Sequence, residues 1–212
     1  MRSIVFNNNV KRIGKITGVY PTKVITGEPI HHAILLDKVN PNKMGPILRS
    51  FIDNLGPIHS SDKEVVLYMW RKYLLEEESP ISTNWHVDDP YFPENYPSYH
   101  SAYPTNKQIL YAVSDHRSGL SNTKFHFNKI RLNGMSVDTK WFEIDTRLKR
   151  VLNPRNIYFS RDGEIIEYDN KTLHCPSRAT NCGWRLLIKL VFYDTEVYEK
   201  VLKIGWLNTT QT

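Results

Sequence analysis

Thr83-Asn84-Trp85-His86-Val87-Asp88-Asp89 decides how the chain is read, once it is taken with Thr172-Leu173-His174 and the run Arg185-Leu186-Leu187-Ile188-Lys189-Leu190-Val191-Phe192-Tyr193. In an extended strand, side chains two apart share a face, so His86 and Asp88 can present an imidazole and a carboxylate to one point. A strand folded back beside the first would bring His174 as a third ligand. Two imidazoles and one carboxylate form the facial triad that suits Fe(II) and leaves its other positions open. Arg185 and Lys189 follow His174 by eleven and fifteen residues and open the strongest strand signal in the chain. Residues 185, 187 and 189 share a face of that strand, so guanidinium and ammonium can look into one pocket. A guanidinium fork suits bidentate capture of a carboxylate.

With 8 His and 22 acidic residues in 212, a His followed two places on by an acid arises about once per chain by chance. The ordered set carries more weight than the short match. Only His86, of all the His, has an acid at that offset, and His174 and then Arg185, eleven residues later, follow it.

In that set the chain resembles the 2-oxoglutarate- and Fe(II)-dependent dioxygenases. Their pattern is His-x-Asp/Glu, a distal His, then a basic residue about ten to fifteen positions later. The matching residues are His86, Asp88, His174 and Arg185, and the passage Glu164 to His174 is similar to the family's strand-turn-strand leading to the distal His. The likeness spans residues 80–193. It implies a mainly β fold with flanking helices and a double-stranded β-helix (jelly-roll, cupin-like) core. One domain over residues 1–212 is expected, with residues 1–79 adding supporting strands and a helix.

The resemblance also implies a chemistry. His86, Asp88 and His174 would hold Fe(II), and 2-oxoglutarate would chelate it, with its far carboxylate on Arg185 assisted by Lys189. Tyr111, on the strand after the metal motif, is a candidate further contact to this co-substrate. Oxygen would be consumed, with succinate and carbon dioxide as co-products. In relatives that halogenate, a small residue stands where Asp88 stands, so hydroxylation, demethylation or desaturation is favoured. The lead substrate class is a small molecule or an amino-acid or peptide side chain. A nucleic-acid base hydroxylase or demethylase is the second reading, and a non-catalytic β-helix protein that binds a metal or ligand is the third.

Composition fits one globular unit. The chain is 40% hydrophobic, 12% aromatic and 24% charged, enough for one substantial core. Its net charge of +6 favours acidic partners. The basic residues are scattered, however, as on a solvated face rather than a nucleic-acid track. The opening residues break into Asn7-Asn8-Asn9 before a secretory h-region can form, and no apolar run is long enough to span a bilayer. Cys175 and Cys182 make no zinc pattern and suit a reducing compartment. The expectation is a cytoplasmic protein with no membrane partner.

Elsewhere the patterns are local. Residues 10–36 read as β, with His31 and His32 structural. Ile47, Leu48, Phe51, Ile52 and Leu55 mark a helix stopped by Gly56-Pro57. Residues 61–78 support either a helix or a strand, since a capping-box form and a helical stripe compete with a β-rich run. Gln108 to Ser114 reads as a strand, and His126, alternating with Phe125 and Phe127, is expected to face solvent. Residues 131–156 read as a connector, and residues 156–168 as a hairpin about Asp162-Gly163. Between Pro90 and Pro104 the aromatic, proline-rich stretch rules out regular structure. It is expected to form a wall over the substrate, with Asp89, Tyr91, Phe92 and Tyr99 as candidate contacts.

Overall fold

The computed structural model describes residues 3–58, 63–81, 83–88, 105–116, 120–135, 139 and 141–203. In chain order, β1 (Ser3–Phe6) and β2 (Val10–Lys15) precede α1 (Thr22–Gly27), β3 (His32–Leu35) and α2 (Pro46–Leu55). Next come β4 (Lys63–Leu74), β5 (Lys107–Ser114), β6 (Thr123–His126), β7 (Ile130–Asn133) and α3 (Trp141–Val151). The chain continues through β8 (Ile157–Phe159), β9 (Glu164–Asp169), β10 (His174–Pro176), β11 (Gly183–Asp194) and α4 (Thr195–Lys203).

β11 is the spine. Its alternation sends Leu186, Ile188, Leu190 and Phe192 to one side and Arg185, Leu187 and Lys189 to the other. It pairs antiparallel with β4 on one flank and β5 on the other, in a six-stranded sheet ordered β2-β9-β5-β11-β4-β3. A smaller sheet, ordered β10-β6-β8, lies apart from it, and His86 joins its edge through an antiparallel bridge to His174. From β4 onward the chain passes repeatedly between the two sheets, leaving them only for β7 in its ribbon with β1: β4 large, His86 small, β5 large, β6 and β8 small, β9 large, β10 small, β11 large.

Each sheet is closed from outside. Ile25 of α1 and Ile47, Leu48 and Phe51 of α2 cover the outer face of the large sheet against Leu67, Met69, Ile109, Tyr111 and Ile188. Ile144 and Leu148 of α3, with the β1-β7 ribbon, cover the small sheet through Trp85, Val87, Leu173 and Cys175. Between the sheets, Leu110, Phe125, Ile166 and Tyr168 pack together, and Leu110 and Tyr168 also line an open cleft beside them.

α2 is anchored by a tertiary cap. The buried Glu28 carboxylate accepts from the Ile47 and Leu48 amides at 3.0 and 2.8 Å, taking orphan donors of the first turn. Gly45 makes room for it, because a Cβ there would sit 2.4 Å from that carboxylate. Gly163, at φ +87°, turns the chain from β8 to β9, with its amide donating to the Ala112 carbonyl.

One open choice is decided, and three expectations are revised. Residues 63–74 form a strand, because pairing β11 along twelve positions outweighs a helix propensity that would bury only one stripe. β8 and β9 do not make a hairpin: β8 pairs β6 in the small sheet while β9 pairs β5 and β2 in the large one. The connector contains helix α3, whose Ile144 and Leu148 are fully buried. His126 is buried rather than facing solvent, held through Nδ1 against the Asn128 carbonyl at 2.9 Å. No helix among the described residues is long and apolar enough to cross a membrane.

Candidate metal centre

The bridge between His86 and His174 sets the geometry. Each backbone N–H donates to the other's carbonyl at 2.9 Å, so the two residues face each other as a hydrogen-bonded pair with side chains on one face. Their rings stand 4.5 Å apart between centres. Alternation turns Trp85 and Val87 into the core behind and leaves His86 and Asp88 toward the cleft. Asp145 of α3 holds this strand from behind, accepting the Trp85 amide at 3.1 Å. Asn8 does the same for the other strand, since its Oδ1 accepts the Leu173 amide at 2.8 Å. Thr172 beside it ties to Asn9 and Asp169.

One ligand atom from each of His86, Asp88 and His174 lies within 4.8 Å of the others. Ligands about 2.1 Å from a shared ion stand roughly 3 Å apart, so small side-chain rotations suffice to close around one. The second nitrogens fix the tautomers. Nδ1 of His86 faces the Asn84 carbonyl at 2.8 Å and Nδ1 of His174 faces the Thr172 carbonyl at 2.9 Å. A carbonyl only accepts, so each Nδ1 carries the proton and each Nε2 offers a lone pair. His174 Nε2 then faces Asp88 Oδ1 at 3.5 Å as one acceptor against another. Only a shared cation, a proton or a metal ion, makes that approach favourable, and the donor set fits a divalent ion of the iron group.

The other carboxylate oxygen is fully engaged. Asp88 Oδ2 lies 3.3 Å from Lys189 Nζ and accepts from the Tyr168 hydroxyl at 3.0 Å. Burial alone would raise the Asp88 carboxyl, but the Lys189 ammonium and the two imidazoles outweigh it and hold it well below the usual range. Burial and the adjacent Asp88 carboxylate raise the Tyr168 hydroxyl, which keeps it a neutral donor. His86 is pushed down to about 4, first by burial and then by His174. His86 is therefore neutral and Asp88 an anion, the protonation states in which these two groups bind metal.

These groups open into a cleft of about 480 Å³, within the range of small-molecule sites. Arg185, Leu187 and Lys189 all line it, with Leu110, Thr123, Pro176, Trp70 and Ile81. Arg185 is 4% exposed, and its Nε and Nη2 have no hydrogen-bond partner among the described residues. Asp162 is the acid that acts on it, yet no ion pair within 4 Å joins them, and burial raises the Asp162 carboxyl. A buried guanidinium with idle donors costs several kcal/mol until an anion meets it, so the site fits a carboxylate-bearing molecule.

Lys189 stands four residues along β11 from Arg185, roughly 13 Å by strand rise. It addresses Asp88 rather than sharing the Arg185 end of the cleft. Tyr111 is turned to the outer face, stacked on Phe51 at 5.1 Å with its hydroxyl donating to the Thr17 carbonyl, so it does not line the cleft. The neighbouring Leu110 lines it instead, one register step away. Asp89, Tyr91, Phe92 and Tyr99 lie outside the described residues. Sequence reasoning missed Tyr168, whose contact to Asp88 needs the pairing of β9 with β5, and Trp70, whose segment read equally as helix.

No protein-family model matches the sequence, and neither does any curated protein. Among solved structures, the chain is similar to EvdO2 from Micromonospora carbonacea var. aurantiaca, crystallised in complex with 2-oxoglutarate. The two share 14% identity at a TM-score of 0.39, over 74% of this chain and 61% of that one. The chain thus spans less than two thirds of that structure's length.

Proposed function

We propose that the protein is a 2-oxoglutarate- and Fe(II)-dependent oxygenase that hydroxylates an unactivated C–H bond of a small molecule or amino-acid side chain. The observation that carries this reading is one cleft holding both a two-His, one-Asp cluster and a buried Arg185 with unpaired donors. Either alone has ordinary explanations; together they match a metal and a dicarboxylate. The alternation of strands between two sheets supports a double-stranded β-helix as the scaffold.

His86, Asp88 and His174 would hold the metal, and Arg185 the far carboxylate of 2-oxoglutarate. When bound, these groups would supply, together with dioxygen, an oxidant for C–H cleavage: one oxygen atom goes to the hydroxylated product and the other to succinate, with carbon dioxide released from 2-oxoglutarate. The chain's own part is orientation and exclusion of water. The Asn84 and Thr172 carbonyls fix the imidazoles, and Lys189 and Tyr168 occupy Asp88 Oδ2 so that Oδ1 is the free ligand atom. Leu110, Leu187 and Pro176 line the cleft with apolar surface, which strengthens every charge interaction inside it.

The test is succinate formation by purified protein with Fe(II), ascorbate and 2-oxoglutarate, alone and with panels of amino acids, small acids and oligonucleotides. Turnover that requires both added groups and is abolished in His174→Ala supports the reading. Metal binding without any 2-oxoglutarate consumption would instead favour a binding protein.

A further inference from the structure

Metal and co-substrate chemistry leave one wall of the cleft unused. β4 places Tyr68 and Trp70 opposite Lys189 and Leu187 of β11. The two rings lie 8° from parallel with centres 5.6 Å apart. Tyr68 is fixed by a hydrogen bond with Tyr193, and His32 meets both rings edge-on at 5.7 and 5.2 Å. Trp70 is nevertheless 41% exposed, although it lines the cleft beside Pro80 and Ile81. A braced pair of rings whose outer member stays open at a cleft has room for a third ring.

Lys189 ties this wall to the metal ligands. Its ammonium is 3.3 Å from Asp88 Oδ2 and 5.7 Å from the centre of each ring. The stack therefore begins within one small-molecule length of the triad. The ammonium carries three donors, so one can stay on Asp88 Oδ2 while the others meet an acceptor in the cleft. Lys72, the cross-strand partner of Arg185, adds a second cation to the same lining, though it is paired with Glu78 at 2.7 Å.

We propose that this wall is the prime-substrate subsite: Trp70 stacks on a flat, unsaturated ring, and Lys189 receives an acidic substituent of that ring. The inference rests on the oxygenase reading and names its substrate class. Stacking on an exposed aromatic is commonly worth about a tenfold change in affinity, and only a flat partner collects it.

The experiment uses 2-naphthoate, its fully saturated analogue (same charge, puckered rings) and 2-naphthamide (same ring, no charge). Calorimetry measures their binding to protein loaded with Zn(II) and 2-oxoglutarate. Naphthoate should bind about tenfold more tightly than either control. Trp70→Leu should remove the preference for the flat ring, Trp70→Phe should keep most of it, and Lys189→Met should remove the preference for the charge. Binding of metal and 2-oxoglutarate, measured separately, should survive in both Trp70 variants. Failure of wild-type protein to bind metal and 2-oxoglutarate overturns the oxygenase reading on which the subsite rests. If both bind, but naphthoate does not, or binds Trp70→Leu as well as wild type, the subsite is overturned and the oxygenase reading stands.

Discussion

Replacing Arg185 by Met separates two roles that a buried arginine can have. If the guanidinium braces the fold, removing it leaves a hole in a network and destabilises the protein by 3–5 kcal/mol, as for a broken buried ion pair. The structure shows a different situation: among the described residues Nε and Nη2 have no partner, and no ion pair within 4 Å joins Arg185 to Asp162. An apolar side chain of similar length then relieves a desolvated charge, so ligand-free Arg185→Met should be as stable as wild type or more stable, by up to about 4 kcal/mol. Ligand binding should move the opposite way. Losing a charge-assisted, two-pronged contact costs about 2–4 kcal/mol, a weakening of roughly 30- to 1000-fold for 2-oxoglutarate.

Thermal melts read both effects. Saturating wild-type protein at a hundred times Kd adds about 2.7 kcal/mol, which raises Tm by roughly 5–10 °C at this chain length. Arg185→Met should keep or raise the ligand-free Tm and lose that increment, while Arg185→Lys, which keeps the charge without the fork, falls between. A ligand-free Tm lowered by about 10 °C, or an undiminished 2-oxoglutarate shift, would refute the assignment.

Other consequences are simpler to check. His174→Ala and Asp88→Ala should abolish retention of metal through desalting with little change in far-UV circular dichroism. Lys189→Met leaves Tyr168 as the described partner of Asp88 Oδ2, so metal affinity by competition with a chelator should fall about 10- to 100-fold while the fold persists. His86 is depressed from 6.5 to about 4, so its stabilising contribution is complete above 6.5 and lost as pH falls toward 4. Metal-free protein should therefore weaken across that window by at most about 1.4 kcal/mol per pH unit from this group, and denaturant titrations of His86→Gln should show a shallower slope. Glu28→Ala strands the buried amides of Ile47 and Leu48 and should cost about 2–4 kcal/mol, read as a lower urea midpoint with activity per folded molecule unchanged.

The site was legible where chemistry and strand period coincide. His86 and Asp88 share a face because they are two apart, and Arg185, Leu187 and Lys189 do so for the same reason. That rule needs no tertiary knowledge. Long-range register was not legible. Tyr111 carries the more reactive side chain, yet the pairing of β5 with β11 and β9 turns Leu110 inward. The turn at Gly163 looks like a hairpin locally, but its partners lie in different sheets. Residues 63–74 satisfy both a helical stripe and a strand run, and only the twelve-residue partner β11 decides between them. Lys189 opens the same strand as Arg185, but its destination at Asp88 follows from the distance along that strand.

The central claim is that His86, Asp88 and His174 close on a single iron-group ion. Anaerobic titration of metal-free protein with Fe(II), followed by calorimetry and absorption, tests it most directly. One equivalent should bind, addition of 2-oxoglutarate should produce a charge-transfer band seen with neither component alone, and His174→Ala should abolish both signals. Binding that His174→Ala leaves intact, or no saturable binding at all, would contradict it.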